Sequence, residues 1–260
     1  MKNYLGMLTL EQQTLKVSAS MPPGIQNLSR VGAPRGLDWR TQGVITGIRD
    51  QGKCGCCWAF ATAAVAESSL IMKGLASQSI DLSEQYLLKC TPGGGCEGGY
   101  LEDGLAYAAK TGVPKESSFP YSPTKTYSGI CSGSSNVKVS NAKPLSYYDL
   151  SDADIKSLLM VSPLAIAIDS TDWEYYTGGV WQCNPNGDVN HAVLLVGYTS
   201  DGQSWIIKNQ WGSDWGENGY MYVSTNSKYN CKIGVAVHML SGSYLKIMFC
   251  AMVLALLLFL

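Results

Sequence analysis

One long alanine-rich stretch without glycine or proline, followed downstream by several short apolar runs of strand length, predicts an α+β fold. The 28 glycines and 15 tyrosines agree, because they mark a turn-rich chain with substantial β content. At 46% hydrophobic and 15% charged residues, the 260-residue chain is neither disordered nor a coiled coil. No repeat at a fixed period is found, which argues against a solenoid.

The elements follow in order. A buried helix is expected over Trp58–Met72: it is apolar on most faces and ends at Lys73-Gly74, a cation followed by a C-terminal glycine. A second helix is expected from about Ser83 to Cys90. A third runs from about Tyr100 to Lys110, stopped by Gly112 and Pro114. Strands are expected at Leu164–Ile168, Ala192–Tyr198, Trp205–Asn209, Gly219–Val223 and Val235–Leu240.

The two ends differ in character. Tyr4 to Leu10 is short and runs into Glu11-Gln12-Gln13 without a small-residue cleavage pattern, so it does not read as a secretory signal. Residues 11 to 32 are polar and turn-prone, with Pro22-Pro23-Gly24 and a glycosylation sequon at Asn27-Leu28-Ser29, and read as a lead-in. Ile247 to Leu260 is wholly apolar. At ~1.5 Å per residue this run reaches about 21 Å, short of a ~30 Å hydrocarbon core. A short anchor, a cleaved lipid-anchor signal and a last buried element all stay open, and membrane association is the expectation.

Nineteen Lys and Arg against twenty Asp and Glu leave a net charge of −1, which offers nothing to neutralise phosphates, so no nucleic-acid partner is expected. Nine cysteines suit a secreted, vacuolar or lysosomal compartment, and an odd number leaves at least one thiol unpaired.

Chemistry gathers around four residues. Cys57 opens the first predicted helix, where unpaired N–H groups and the dipole favour a thiolate. Of the two histidines, His191 begins a strand and is the candidate proton partner, while alternation in Val235–Leu240 places His238 on the surface. Asn209 ends another strand and can orient an imidazole, with Trp211 screening that bond from water. Gln51, six residues before Cys57, can aim its amide at a developing oxyanion beside the Cys57 N–H.

These residues and their surroundings resemble the papain family of cysteine peptidases, on its cathepsin L-like branch. The resemblance runs from about Ala33 to Ser243. It is carried by Cys54-Gly55-Cys56-Cys57-Trp58 with a His and an Asn roughly 130–150 residues on. It is carried also by Leu37-Asp38-Trp39-Arg40, Leu82-Ser83-Glu84-Gln85, Gly95-Cys96-Glu97-Gly98-Gly99, Asn190-His191-Ala192-Val193 and the run Trp211 to Tyr220. Cys56 stands where the family has Ser or Ala, and Gln210 where it has Ser.

The resemblance implies a helical half and a β-barrel-like half flanking a V-shaped cleft, with Cys57 from one and His191 from the other. It implies a division into residues 1–32 (pro-segment remnant or linker), 33–243 (peptidase domain) and 244–260 (apolar tail). Implied disulfides are Cys54–Cys96, Cys90–Cys131 and Cys183–Cys231, leaving Cys56 and Cys57 free. Gly98 and Gly99 would lay substrate backbone along an edge. Tyr100, Leu101, Ala167, Val189, Asn190, Ala192, Trp211 and Ala236 would complete the substrate site, with an apolar pocket for the residue two positions before the cut. The implied partners are protein and peptide substrates and cystatin-type or pro-segment inhibitors. The implied protein is a monomer, lysosomal, vacuolar or secreted, without cofactor or metal. Two rivals remain: a catalytically silent homologue, and a redox or metal protein using Cys54-x-x-Cys57.

Overall fold

The computed structural model describes residues 32–123, 131, 136–139 and 141–241. The lead-in with its sequon and the apolar tail with Cys250 lie outside the described residues. No helix among the described residues is long and apolar enough to cross a membrane.

The helices come first: α1 is Cys57–Met72, α2 Glu84–Cys90 and α3 Leu101–Thr111, preceded by the two-residue β1, Leu37–Asp38. Helix α1 is buried on nearly every side, as an all-round apolar helix must be, and packs on α2, α3 and β5. Ser83 and Tyr100 are N-caps rather than first helical residues. Ser83 Oγ accepts from the Tyr86 N–H, which satisfies one of the donors orphaned at the start of α2.

The second half supplies β2 (Lys143–Tyr148), α4 (Asp152–Leu159), β3 (Leu164–Ile168), β4 (Val180–Trp181), β5 (His191–Tyr198), β6 (Ser204–Lys208), β7 (Tyr220–Ser224) and β8 (Ala236–Ser241). The sheet order is β2-β8-β3-β5-β6-β7-β4, with β1 added to β5. The α+β class is therefore the observed one. Gly197 is obligatory where β1 joins, since a Cβ there would sit 2.0 Å from the Leu37 carbonyl oxygen.

Strand β2, helix α4 and the two-residue β1 and β4 were not expected. β2 carries Lys143, Pro144 and Ser146 and so lacks an apolar rhythm. α4 carries a capping box from Ser151 and Asp154. Apolar side chains gather on both faces of the sheet, one cluster under α1–α3 and another around Ile155, Leu158, Trp173 and Trp205.

The placement of His238 on the surface is wrong. It is buried, with Nδ1 3.0 Å from Ser146 Oγ and its ring against Tyr148. Alternation implies exposure only when one face of a strand meets water; β8 runs between β2 and β3 with both faces covered.

Candidate active site

Cys57 is the first residue of α1, and the N-cap residue Cys56 makes no side-chain capping bond to the helix. No acidic residue occupies the first turn. The positive end of a sixteen-residue helix is thus uncancelled where the Cys57 sulfur sits, which favours a thiolate. Both cysteines are buried and outside any disulfide. Disulfides join Cys54 to Cys96, Cys90 to Cys131 and Cys183 to Cys231. Cys54 is therefore not half of a dithiol with Cys57. Among the described residues no cluster of His, Cys, Asp or Glu is arranged to hold a metal.

His191 opens β5, and Asn209 follows the last residue of β6. The β5–β6 pairing brings His191 Nε2 to 2.9 Å from Asn209 Oδ1. An amide oxygen only accepts, so Nε2 carries the proton and the neutral ring leaves Nδ1 bare. Nδ1 is buried and has no hydrogen-bond partner among the described residues. The Trp211 ring leans over the imidazole at 5.0 Å, and Trp173 meets it edge-on at 6.0 Å. Burial pulls the imidazole down to about 4, partly opposed by the Asn209 bond.

Two short segments tie the halves together here. Gln51 N–H donates to the Gln210 carbonyl at 3.0 Å, and Gly212 N–H to Arg49 O at 3.0 Å. The loop before Cys57 is thereby paired to the residues after Asn209. Gln51 is buried, and its Nε2 donates to the Cys54 carbonyl at 2.9 Å. Gln210 Nε2 donates to the Ala192 carbonyl at 2.8 Å, which pins the peptide beside His191. The bulkier residue at position 210 thus braces the site.

The remaining predicted residues sort by strand register. Ala236 faces Ala167 across β8–β3, and Ala167 faces Ala192 across β3–β5. Directly opposed residues share a face, so the three form a row of small side chains. Tyr148, opposite Ala236, ends that row. Val189 packs with Ala167 and Ala236, while Leu101 lies in the cluster beneath the helices. Asn190 Oδ1 accepts from the Ser170 N–H and Oγ, both at 2.9 Å, so its side chain is spent on the neighbouring loop. Gly98 has φ +129, and a Cβ on Gly99 would lie 2.5 Å from the Trp58 indole. These two glycines meet a structural demand whatever else they do.

Sequence reasoning missed several neighbours. Tyr148 donates its hydroxyl to the Glu102 carboxylate, which brings a charged group to the end of the alanine row. Behind Asn209 lies a cavity of about 20 Å³, lined by Arg49, Glu67, Glu84, Lys208 and Gln210. There Lys208 Nζ donates to Thr46 Oγ1 at 3.0 Å, and Thr46 donates to Glu67 Oε2 at 2.5 Å. Burial raises the Glu67 carboxyl and lowers the Lys208 ammonium to about 8. The lone lysine in Trp205-Ile206-Ile207-Lys208 was the available signal, since a charge in a buried strand needs a partner. Tyr121, whose hydroxyl donates to the Gln51 carbonyl, left no comparable signal.

Comparison with known proteins fits this geometry. The family described as papain family cysteine protease matches residues 33–240. A cathepsin L-like proteinase of Fasciola hepatica is 38% identical over 213 residues, 77% of this chain and 63% of that protein. Cathepsin K of Gallus gallus is 34% identical over 260 residues, 89% of this chain and 73% of that protein. Among solved structures, digestive procathepsin L 3 of Tenebrio molitor larval midgut superposes with a TM-score of 0.73 at 31% identity, covering 93% of this chain and 77% of the other. The bromelain protease from Ananas comosus in complex with the E64 inhibitor gives 0.69 at 30%, covering 80% and 99%. The chain spans about three fifths of the length of the first curated relatives it matches. It belongs to the papain family of cysteine proteases and is cathepsin L-like.

Proposed function

We propose that the chain is a cysteine endopeptidase in which Cys57 is the nucleophile, His191 the base and Asn209 the group that orients it. The observation that carries this reading is the His191–Asn209 bond, because it leaves Nδ1 as the ring's proton acceptor. Nδ1 takes the Cys57 proton, and the thiolate, favoured by the helix start, attacks the scissile carbonyl. The oxyanion is received by the Cys57 N–H and the Gln51 amide. The imidazolium then protonates the departing amine as the C–N bond breaks, leaving a thioester on Cys57. Water, deprotonated by His191, hydrolyses the thioester and releases the acid.

Gly98 and Gly99 present backbone to an extended substrate, and the row of Ala236, Ala167 and Ala192 with Val189, Tyr100 and Leu101 takes an apolar side chain two residues before the cut. Trp211 shields the His191–Asn209 bond. Residues 33–243 form the peptidase unit, which works as a monomer, and pro-segment or cystatin-type inhibitors would occupy the same cleft. Three disulfides suit an oxidising compartment, lysosomal, vacuolar or secreted.

The test is hydrolysis of a fluorogenic peptide with a bulky apolar residue at that position, together with labelling by an epoxide thiol inhibitor. Cys57→Ser and His191→Ala should each abolish turnover, and mass spectrometry should find the label on Cys57. Label on Cys56 instead, or turnover surviving in Cys57→Ser, would overturn the assignment.

A further inference from the structure

Gln51 is anchored at its amide hydrogen, at its side chain and also at its carbonyl. The Tyr121 hydroxyl donates to Gln51 O at 2.6 Å. Tyr121 is itself fixed: its N–H donates to Glu116 Oε1, the next N–H, of Ser122, donates to Gln85 Oε1 at 2.8 Å, and its ring stands edge-on to Phe60 at 4.9 Å. The same hydroxyl lies 3.1 Å from Cys56 Sγ. A phenol has one proton, and here the Gln51 carbonyl receives it. Cys56 must therefore be the donor to Tyr121, so the chain reads S–H to O–H to O=C. Burial pushes the Cys56 thiol up to about 12, which keeps that proton in place.

We propose that Tyr121 and Cys56 are positioning residues for Gln51, holding by this chain of hydrogen bonds the peptide from which the oxyanion-binding amide projects. The inference rests on the role given to Gln51 above. It also gives a reason for a thiol at position 56. A serine hydroxyl could donate in the same way, whereas alanine could not. The proton held by Cys56 leaves Cys57 as the nucleophile of an adjacent pair. Loss of the phenol frees the Gln51 carbonyl, and small displacements of a catalytic donor reduce turnover steeply.

The experiment is a double-mutant cycle on kcat and KM with one fluorogenic peptide, in which active sites are counted by stoichiometric epoxide labelling so that only folded enzyme enters kcat. Tyr121→Phe should lower kcat about tenfold with KM within about twofold. In a Gln51→Ala background it should lower kcat no further, because its target is gone. Cys56→Ala should lose part of kcat, and Cys56→Ser should recover most of that loss. If Tyr121→Phe fails to fold, Cys56→Ala replaces it in the cycle. Equal losses in both backgrounds would make Tyr121 an independent structural residue and overturn the proposal while leaving Gln51 its role. A Gln51→Ala enzyme with undiminished kcat would remove that role first, and the proposal with it.

Discussion

In the proposed mechanism His191 must serve both as a buried neutral ring and as the partner of a thiolate. Burial, opposed only in part by the Asn209 bond, draws it to about 4. A nearby thiolate would act in the opposite direction, stabilising the imidazolium and raising the pKa. The two influences separate in Cys57→Ala, where no thiolate can form. In that variant His191 should titrate near 4, and in the parent chain clearly higher, as followed by its ring resonances in NMR. The linkage sign follows. A folded pKa below the unfolded 6.5 means that the unfolded chain binds more protons in between. In Cys57→Ala this stabilising contribution is complete above pH 6.5 and falls by about 3 kcal/mol as pH drops through 4. Identical His191 titrations in the two proteins would show that Cys57 and His191 do not form an ion pair.

Among the elements, α1 and β6 meet through a polar link beside the cavity lined by Arg49 and Glu84. Glu67 on α1, Thr46 and Lys208 on β6 are all buried, and Lys208 is followed directly by Asn209. Glu67 also accepts from the Leu82 N–H at 2.8 Å. Lys208→Met would leave Glu67 without the stronger of the two cations acting on it, Arg49 being the other, and should cost about 3–5 kcal/mol in urea unfolding. Adding Glu67→Gln should return part of that loss, because the stranded charge goes with it. A loss below about 1 kcal/mol in the single variant would mean that the pair is not coupled. The link also shows what could be read from the sequence. Helix α1 and strands β3, β5 and β6 were legible because their apolar runs are long or uninterrupted and bounded by glycine or polar residues. Ser83 and Tyr100 shifted from helix to cap because a cap shares the residue types of a helix start. Cys57, His191, Asn209 and Gln51 stood out as candidates because local motifs mark them. Tyr121 and Thr46 did not, since their partners lie far along the chain and nothing in their immediate neighbours requires a bond, whereas Glu67, like Lys208, is a charge in a run expected to be buried, which calls for a partner without naming it.

Across the whole molecule, the proposed specificity would depend on both halves. In the proposed site the floor would be the row of alanines carried by β8, β3 and β5, with Tyr100 and Leu101, at the start of α3, contributed by the helical half. The alanines stand in register, with Tyr148 opposite Ala236 at the end of the row and Val189 packed on Ala167 and Ala236. A Leu, Val or Phe side chain buried there would gain roughly 1.5–3 kcal/mol, about one to two orders of magnitude in kcat/KM when the contact is made in the transition state. An arginine would bring its guanidinium to alanine and valine, at a desolvation cost that nothing on the floor repays. The carboxylate within reach of that end is Glu102, and the Tyr148 hydroxyl already bonds to it. A peptide library varied two positions before the cut should therefore select Leu, Val or Phe over Arg by at least tenfold in kcat/KM. Arginine selected over leucine, with the preference lost in Glu102→Gln, would instead make that carboxylate the floor of the pocket and overturn the apolar lining.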